Sequence, residues 1–305
     1  MRIGILAAET TGAQALGTLT DQLRRVADDG FASFWMSNIF GLDALTALAV
    51  AGSQVPGIEL GTAVVPSYPR HPAVLAQQAL TTALAVGPDR LTLGIGLSHK
   101  LVIEDMYGHS FDKPARHMRE YLSVLLPLLD GSPVSVKGET LSANIGLSTP
   151  RAGRVPVLLA ALAPRMLSLA GQQTDGTVLW MTGPSTVRDY VVPAISEAAT
   201  AAGRPSPRVV CSLPVCVTSD PDAARAGAAK TFSIYGQLPS YRAMLDREGA
   251  AGPADVAIVG DEDAVTAQIR ALAEVGVTDF VAAEFARGDD KDRTRALLKS
   301  LIAAS

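Results

Sequence analysis

Three consecutive pieces of sequence decide the fold: LGTAVV (Leu60–Val65), PSYPRHP (Pro66–Pro72) and, after a helical stretch, LTLGIGLSH (Leu91–His99). Between Pro72 and the last piece, apolar residues recur near a period of 3.6, which predicts a helix. The first and last pieces are apolar at successive positions, as strands are when a parallel sheet is covered on both faces. The stretch therefore predicts a β-α-β unit.

Polar and ring side chains follow these two predicted strands directly. All four histidines of the chain lie at or just beyond the strand ends: His71, His99, His109 and His117. Ligands of parallel α/β folds bind at the carboxyl ends of the strands, so this clustering predicts a functional site, most simply an enzymatic one. His99 is the main candidate for chemistry, because it follows a strand at once and imidazole titrates near neutral pH.

Similar strand patterns alternate with helical patterns along the whole chain. The eight predicted strands are Arg2–Ala8, Ser33–Ser37, Ile58–Val65, Leu91–Leu97, Val155–Ala161, Thr177–Met181, Arg208–Val217 and Asp279–Glu284. Eight strand-helix units in 305 residues are typical of a (β/α)₈ TIM barrel. We therefore predict one such domain over residues 1–305, with insertions after the fourth strand (98–154) and the seventh strand (218–260).

Composition restricts the class of protein. The formal net charge of −4 disfavours a nucleic-acid partner, which normally requires a basic face. No apolar run approaches the roughly 20 residues that span a bilayer, so we predict no membrane partner. Cys211 and Cys216 lie five residues apart in one predicted strand and so point to opposite faces, which disfavours a disulfide. Together with an N-terminus that resembles a strand rather than a signal peptide, this predicts a cytoplasmic protein.

Two local features each permit two interpretations. A predicted strand leads through small residues into a helix at Pro164 and Arg165, which suits either a phosphate cradle or an ordinary turn. Gly94 and Gly96 either relieve crowding inside the barrel or let the backbone approach a flat cofactor. They do not belong to a Rossmann motif, because the third glycine is missing and both lie inside a strand.

Other chemistries lack their sequence patterns. No HxH, HExxH or carboxylate-rich spacing is present, so we predict no metal site. No G-x-S-x-G elbow is present, which leaves a serine nucleophile unsupported.

The chain contains several short motifs, and their order and spacing together are more specific than any one motif alone. They are GTAV (Gly61–Val64), YPRHP (Tyr68–Pro72), LGIG (Leu93–Gly96), MREYL (Met118–Leu122), AALAPRM (Ala160–Met166) and TDG (Thr174–Gly176). In these motifs the chain resembles the luciferase-like superfamily of flavin and deazaflavin oxidoreductases, and within it the branch that uses coenzyme F420. The resemblance covers the chain from Arg2 to about Leu301.

The resemblance implies a (β/α)₈ barrel that holds the cofactor ring at its carboxyl end. It also implies which positions contact the cofactor: Ser37 and Asn38 at the ring or its tail; Ala63 and Val64 as the bulge behind the ring; Gly96, Leu97 and Ser98 at the ribityl chain and phosphate; and Ala161, Leu162, Ala163, Pro164 and Arg165 around the phosphate. The bulge is where the family often has a non-proline cis peptide, the alternative irregular bond being Val65-Pro66.

The resemblance further implies an F420-dependent oxidoreductase that transfers hydride to or from a small organic substrate. We predict His99, from its place after the fourth strand, as the proton donor. Relatives that oxidise alcohols or sugar phosphates tend to carry Asp-His where this chain has Ser37-Asn38, and a glutamate near His99. Reduction of an activated C=C or carbonyl is therefore favoured. We expect the protein to be a homodimer. The alternatives to the F420-dependent enzyme are an FMN-dependent monooxygenase and a non-catalytic flavin-binding barrel.

Overall fold

Eight parallel strands close into a barrel in the computed structural model, which describes residues 1–303. The last two residues of the predicted domain, 304 and 305, lie outside the described range. Within that range the strands are β1 (Arg2–Leu6), β2 (Ser33–Met36), β3 (Glu59–Thr62), β4 (Val65–Pro66), β5 (Leu91–Gly96), β6 (Val134–Lys137), β7 (Ser142–Ile145), β8 (Val157–Leu159), β9 (Gly176–Trp180), β10 (Arg208–Val217), β11 (Ile258–Gly260) and β12 (Asp279–Glu284).

The barrel order is β1-β2-β3-β5-β8-β9-β10-β12, and β12 pairs with β1 to close it. The short strand β4 continues β3 along β5, and β11 extends one side of β10 beyond the barrel. Strands β6 and β7 form a separate antiparallel hairpin. The predicted TIM barrel with eight strands is confirmed.

Helices cover the outside of the barrel. They are α1 (Ala15–Asp28), α2 (Ala44–Gly52), α3 (Pro72–Val86), α4 (Pro114–Leu129), α5 (Pro164–Gln173), α6 (Pro184–Thr186), α7 (Val192–Ala201), α8 (Pro221–Thr231), α9 (Pro239–Glu248), α10 (Glu262–Glu274) and α11 (Asp289–Ala303). A π-helical turn, Val187–Val191, joins α6 to α7, and another, Val102–Met106, follows β5. None of the helices within the described residues combines the length and the apolar character needed to cross a bilayer.

Both predicted insertions are present, and each lies after the carboxyl end of a barrel strand. The first holds the π-helical turn, α4 and the β6-β7 hairpin, and the second holds α8 and α9. Glu120 on α4 fixes the hairpin, because its carboxylate accepts hydrogen bonds from the backbone of Glu139, Thr140 and Leu141 at 2.8–3.3 Å.

One predicted strand is divided in the structure. The predicted strand Ile58–Val65 is interrupted at Ala63 and Val64, whose peptide bond is cis, and resumes as β4. The irregular bond is thus at the position that the resemblance implied, and not at Val65-Pro66. The predicted strands Arg2–Ala8 and Val155–Ala161 each end two residues earlier in the structure, at Leu6 and Leu159.

The barrel interior is a packed apolar core. Its buried members come from five strands: Trp35, Leu158, Val178, Val210 and Val281. The Trp35 ring fits because the facing position is a glycine: a Cβ atom on Gly61 would lie 2.2 Å from the ring.

The amino end of the barrel is closed by charges. Arg208 donates to Asp279 at 2.8 and 2.9 Å and to Glu59 at 2.7 Å, and its guanidinium lies 5.6 Å from the centre of the Trp35 ring. Arg2 pairs with the same two carboxylates. Burial alone would raise the pKa of Asp279, but its hydrogen bonds with Arg208 hold that pKa below its ordinary value. This end of the barrel is therefore built for stability, which leaves the carboxyl end for function.

Candidate active site

Every residue predicted to bind the cofactor lies at the carboxyl end of the barrel. Ser37 and Asn38 follow β2, Ala63 and Val64 separate β3 from β4, Gly96 to Ser98 end β5, and Ala161 to Arg165 connect β8 to α5. They meet at one end because the barrel strands are all parallel. This placement agrees with the predicted roles, although it does not test contact with a cofactor.

The floor of the mouth is apolar and made of small side chains. Leu6, Ala63 and Val64 are half-buried, and they pack on the interior cluster beneath them. Leu6 ends β1, and Ala63 and Val64 follow β3, so residues from two strand ends cover this part of the core. Such a surface can support one face of a flat ring.

The structure decides between the two interpretations of the strand glycines. A Cβ atom on Gly94 would lie 1.9 Å from the carbonyl oxygen of Thr62, and one on Gly96 would lie 2.7 Å from the Val64 side chain. Both glycines therefore make room for the irregular segment that follows β3. Relief of crowding accounts for both glycines, and the contact of Gly96 with a cofactor stays a prediction.

Ser98 ends β5 in an unusual backbone conformation. Its φ of 62° lies in the left-handed region, which a residue with a side chain seldom adopts. Met181, which follows β9, has a φ of 53°. Conformations of this kind concentrate at ligand sites.

The turn between β8 and α5 presents free backbone amides. Ala163 is the residue before α5, and its side chain cannot cap the helix. No group within the described residues accepts a hydrogen bond from the amides of Leu162, Ala163 or Arg165. Arg165 is exposed and forms no ion pair within that range. This combination is suited to an anion.

Two side chains fix this turn from outside. The Tyr190 hydroxyl donates to the carbonyl of Leu162 at 2.9 Å, and the guanidinium of Arg247 lies 4.0 Å from the centre of the Tyr190 ring. The sequence analysis did not identify either residue, since both depend on packing between elements far apart in the chain.

Asn38 and Ser37 differ in what their side chains do. The Asn38 Oδ1 atom accepts a hydrogen bond from Ala44 at 2.9 Å and so anchors the start of α2. Its carboxamide nitrogen is the part left for a ligand. Ser37 is half-buried, and its hydroxyl makes no hydrogen bond within the described residues.

The four histidines do not form a common site. His99 is half-buried at the mouth, where burial lowers its pKa, and its ring lies 5.6 Å from that of Tyr241. His71 caps α3 through its Nδ1 atom, and His109 is exposed. Only His99 keeps the position that a catalytic role requires.

His117 is buried in a stack outside the mouth. Its ring lies parallel to Tyr68 with the centroids 3.9 Å apart, and its Nε2 atom is 3.2 Å from the Ser67 hydroxyl. Burial lowers the pKa of His117 to about 4, and burial raises that of Tyr68 to about 12. The stack joins the turn after β4 to α4, which is a structural role.

A set of ring side chains at the mouth was missed from the sequence. Trp180 ends β9, and the insertion after β10 brings Phe232, Tyr235 and Tyr241 beside it. Trp180 lies near the carboxyl end of the predicted strand Thr177–Met181, which was the one available signal. Within residues 1–303, no group of three or more His, Cys, Asp or Glu side chains gathers that could hold a metal ion.

Comparison with known proteins identifies the family. The family model for luciferase-like monooxygenases matches residues 1–279 of the chain. The chain belongs to the luciferase-like monooxygenase family. The resemblance inferred from the motifs is therefore confirmed, and with it the prediction that the protein is an oxidoreductase.

Relatives with similar sequences include a methylenetetrahydromethanopterin reductase and an oxidoreductase named for coenzyme F420. A 5,10-methylenetetrahydromethanopterin reductase of Methanolobus tindarius is 27% identical over 282 residues, which cover 83% of this chain and 86% of that protein. A putative coenzyme F420-dependent oxidoreductase of Mycobacterium tuberculosis is 27% identical over 318 aligned positions, which cover 88% of this chain and 91% of that one.

Solved luciferase-like structures share the fold. The coenzyme F420-dependent tetrahydromethanopterin reductase of Methanopyrus kandleri superposes with a TM-score of 0.81 at 22% identity, over 99% of this chain and 98% of that one. The oxygenating component of a diketocamphane monooxygenase from Pseudomonas putida, solved with FMN, superposes with a TM-score of 0.77 at 18% identity, over 98% and 96%. At these identities the likeness establishes the barrel alone.

Proposed function

We propose that this protein is a coenzyme F420-dependent oxidoreductase that reduces an activated C=C or carbonyl of a small organic substrate. The observation that carries the proposal is the alignment, over 88% of the chain, with a relative named as a putative coenzyme F420-dependent oxidoreductase. The motifs from Tyr68 to Pro72 and from Ala160 to Met166 support the same branch.

The residues at the mouth fit such a cofactor. The floor formed by Leu6, Ala63 and Val64 suits a flat tricyclic ring, and the free amides before α5 suit a phosphate on its tail. Arg165 and Arg247 add two exposed positive charges near the same turn. The tail of coenzyme F420 carries carboxylates beyond its phosphate, so charges beyond the amides favour it over FMN.

Reduced coenzyme F420, when bound, supplies a hydride to an electrophilic carbon of the substrate and is itself oxidised by two electrons. The floor of the mouth supports one face of the ring, the amides before α5 bind the phosphate, and the walls of the mouth limit the access of water. His99 delivers the proton that the substrate oxygen or the adjacent carbon takes up after hydride transfer. Because burial lowers its pKa, His99 is mainly neutral at pH 7 and takes up that proton from solvent for each turnover.

Titration of the purified apo-protein with each cofactor tests the proposal. We expect coenzyme F420, followed by its own fluorescence, to bind more tightly than FMN. Arg165→Ala should weaken F420 binding by roughly tenfold to a hundredfold, as expected for loss of a charge-assisted hydrogen bond worth about 1.5–3 kcal/mol. The control is Arg24→Ala, which removes an exposed arginine of α1 paired with Asp21. Micromolar binding of FMN without binding of coenzyme F420 would contradict the proposal.

The second candidate is an FMN-dependent monooxygenase. It is favoured by the structural likeness to an enzyme solved with FMN, and by a floor and amide turn that FMN could also use. The titration above separates the two candidates.

We further propose that the protein acts as a homodimer in the cytoplasm. Val50, Val74 and Leu84 are exposed apolar side chains on the adjacent helices α2 and α3, which favours a protein contact there. Both cysteines are free and buried, as is common for a reducing compartment. Sedimentation velocity would measure the assembly state, and a monomer at micromolar concentration would contradict the dimer.

A further inference from the structure

The mouth of the barrel carries a row of ring side chains, and apart from His99 none of them belongs to the predicted site residues. We call it the ring wall, and its members are His99, Trp180, Phe232, Tyr235, Tyr241 and Phe285. Neighbouring members lie 5.1 to 5.9 Å apart between ring centroids, so the row is continuous. Four of the five contacts are edge-to-face, with interplanar angles of 74° to 88°.

The ring wall stands at the carboxyl ends of three strands. His99 lies beyond β5, Trp180 ends β9, and Phe285 follows β12. The insertion after β10 supplies the other rings, from α9 and the turn before it. All six side chains are half-buried, so each keeps accessible surface at the mouth. The wall thus borders the place where a substrate must lie to receive hydride.

The ring wall carries no formal charge near neutral pH. Burial lowers the pKa of His99 and raises the pKa of Tyr241, so the imidazole is neutral and the phenol stays protonated. Burial raises the pKa of Tyr235, a hydrogen bond with Trp180 lowers it, and the Glu9 carboxylate raises it. An anionic substrate would lose hydration against these rings without gaining a cation from the ring wall itself.

We infer that the ring wall is the substrate-binding surface and that it takes an uncharged, planar, cyclic enone or quinone. The inference rests on the proposed function and specifies its substrate class. Aromatic rings bind one another best in edge-to-face or offset-stacked arrangements, and the ring wall offers a planar substrate both kinds of contact. In the reaction, the ring carbon accepts hydride from the reduced cofactor, the C=C or C=O π bond breaks, and the resulting oxyanion or enolate takes one proton from His99.

Tryptophan fluorescence of the apo-protein provides the test. Trp180 is at the ring wall, whereas Trp35, the other tryptophan, is fully buried in the barrel. The probes are menadione, which is neutral, and 1,4-naphthoquinone-2-sulfonate, which has the same ring system and a negative charge. We expect menadione to bind at least about tenfold more tightly, because the sulfonate must be desolvated beside uncharged rings.

Two variants locate the binding surface. Tyr235→Ala should weaken menadione binding at least about fivefold, since it removes one ring from the wall. Ile234→Ala is the matched control, because Ile234 is the adjacent residue, is 49% exposed and lies outside the wall. Calorimetric titration of the wild-type protein with both probes gives the same ratio without depending on any variant.

Each outcome bears on the inference. Equal affinity for the two probes, tighter binding of the sulfonate or no saturable binding would overturn the inference while leaving the proposed function intact. Equal losses in the Tyr235 and Ile234 variants would also overturn it. Failure of coenzyme F420 to bind, measured separately by cofactor fluorescence, would overturn the proposed function and with it the substrate assignment.

Discussion

At the scale of single residues, half-buried His99 and buried His117 show how the surroundings of a histidine determine what its side chain can do. His99 lies at the mouth beside Tyr241, where it can exchange a proton with a substrate. His117 belongs to α4 and stacks on the Tyr68 ring, where burial keeps its imidazole neutral near pH 7. The same side chain is a candidate for chemistry in one place and a packing element in the other.

The rate of substrate reduction should depend on the protonation of His99. Because burial lowers its pKa, kcat for reduction should fall as the pH rises through a value below 6.5, the ordinary pKa of histidine. His99→Gln should lower kcat and remove this inflection, with little effect on cofactor affinity. His109→Gln, an exposed control, should leave the profile unchanged. A profile that is identical in wild type and His99→Gln would assign the proton to another donor.

The stability of the fold should depend on pH through His117. Its pKa is about 4 in the folded protein and near 6.5 when unfolded, so the unfolded chain binds the extra proton between these values. The contribution of neutral His117 to the free energy of unfolding is fully present above pH 6.5. It falls by roughly 3 kcal/mol as the pH is lowered to 4. Urea unfolding of wild type and His117→Phe at pH 7 and pH 4 measures this difference. A constant difference between the two proteins would contradict the assignment.

At the scale of elements, the turn between β8 and α5 depends on a helix that follows later in the chain. Tyr190, on the π-helical turn between α6 and α7, binds the carbonyl of Leu162 and so orients the amides that follow it. A short turn of small residues could not hold that orientation alone. Tyr190 is therefore a positioning residue for the proposed phosphate site.

Tyr190→Phe should weaken cofactor binding without abolishing it. Loss of one neutral hydrogen bond costs about 1 kcal/mol, which corresponds to roughly fivefold in the dissociation constant. Fluorescence titration with coenzyme F420 measures the change, and kcat at saturating cofactor should stay near the wild-type value. Tyr107→Phe, at an exposed position outside the turn, is the control. An unchanged dissociation constant would show that this hydrogen bond does not orient the backbone amides of the turn between β8 and α5.

At the scale of the whole molecule, the two ends of the barrel have separate tasks. The amino end is closed by Arg208 between Asp279 and Glu59, and the carboxyl end holds the apolar floor and the free amides. This separation means that stability and function can be changed independently.

Arg208→Met should destabilise the protein by about 3–5 kcal/mol, because it leaves the buried Asp279 carboxylate without its main partner. Urea unfolding at pH 7 measures the loss. Arg188→Ala, which breaks an exposed pair with Asp189, should leave the free energy of unfolding nearly unchanged. The affinity of the folded Arg208 variant for coenzyme F420 should be unchanged, and a large loss of affinity would show that the two ends are coupled.

The sequence by itself determined the barrel and the general place of the site. The eight strands could be recognised because apolar runs and helical periods are local patterns, and parallel strands necessarily bring their carboxyl ends together. Ser37, Val64, Ser98 and Arg165 could therefore be placed at one mouth before any contact was known.

Only the tertiary structure decided which of these residues are free for a ligand. Asn38 uses its Oδ1 atom to anchor α2, and Gly94 leaves space for the Thr62 carbonyl oxygen. His117 is buried against Tyr68. The ring wall and the contact of Tyr190 with Leu162 also emerged only there. These features depend on contacts between side chains far apart in the chain. Local periodicity carries no information about such contacts, because they are set by how the closed barrel packs its loops and helices together.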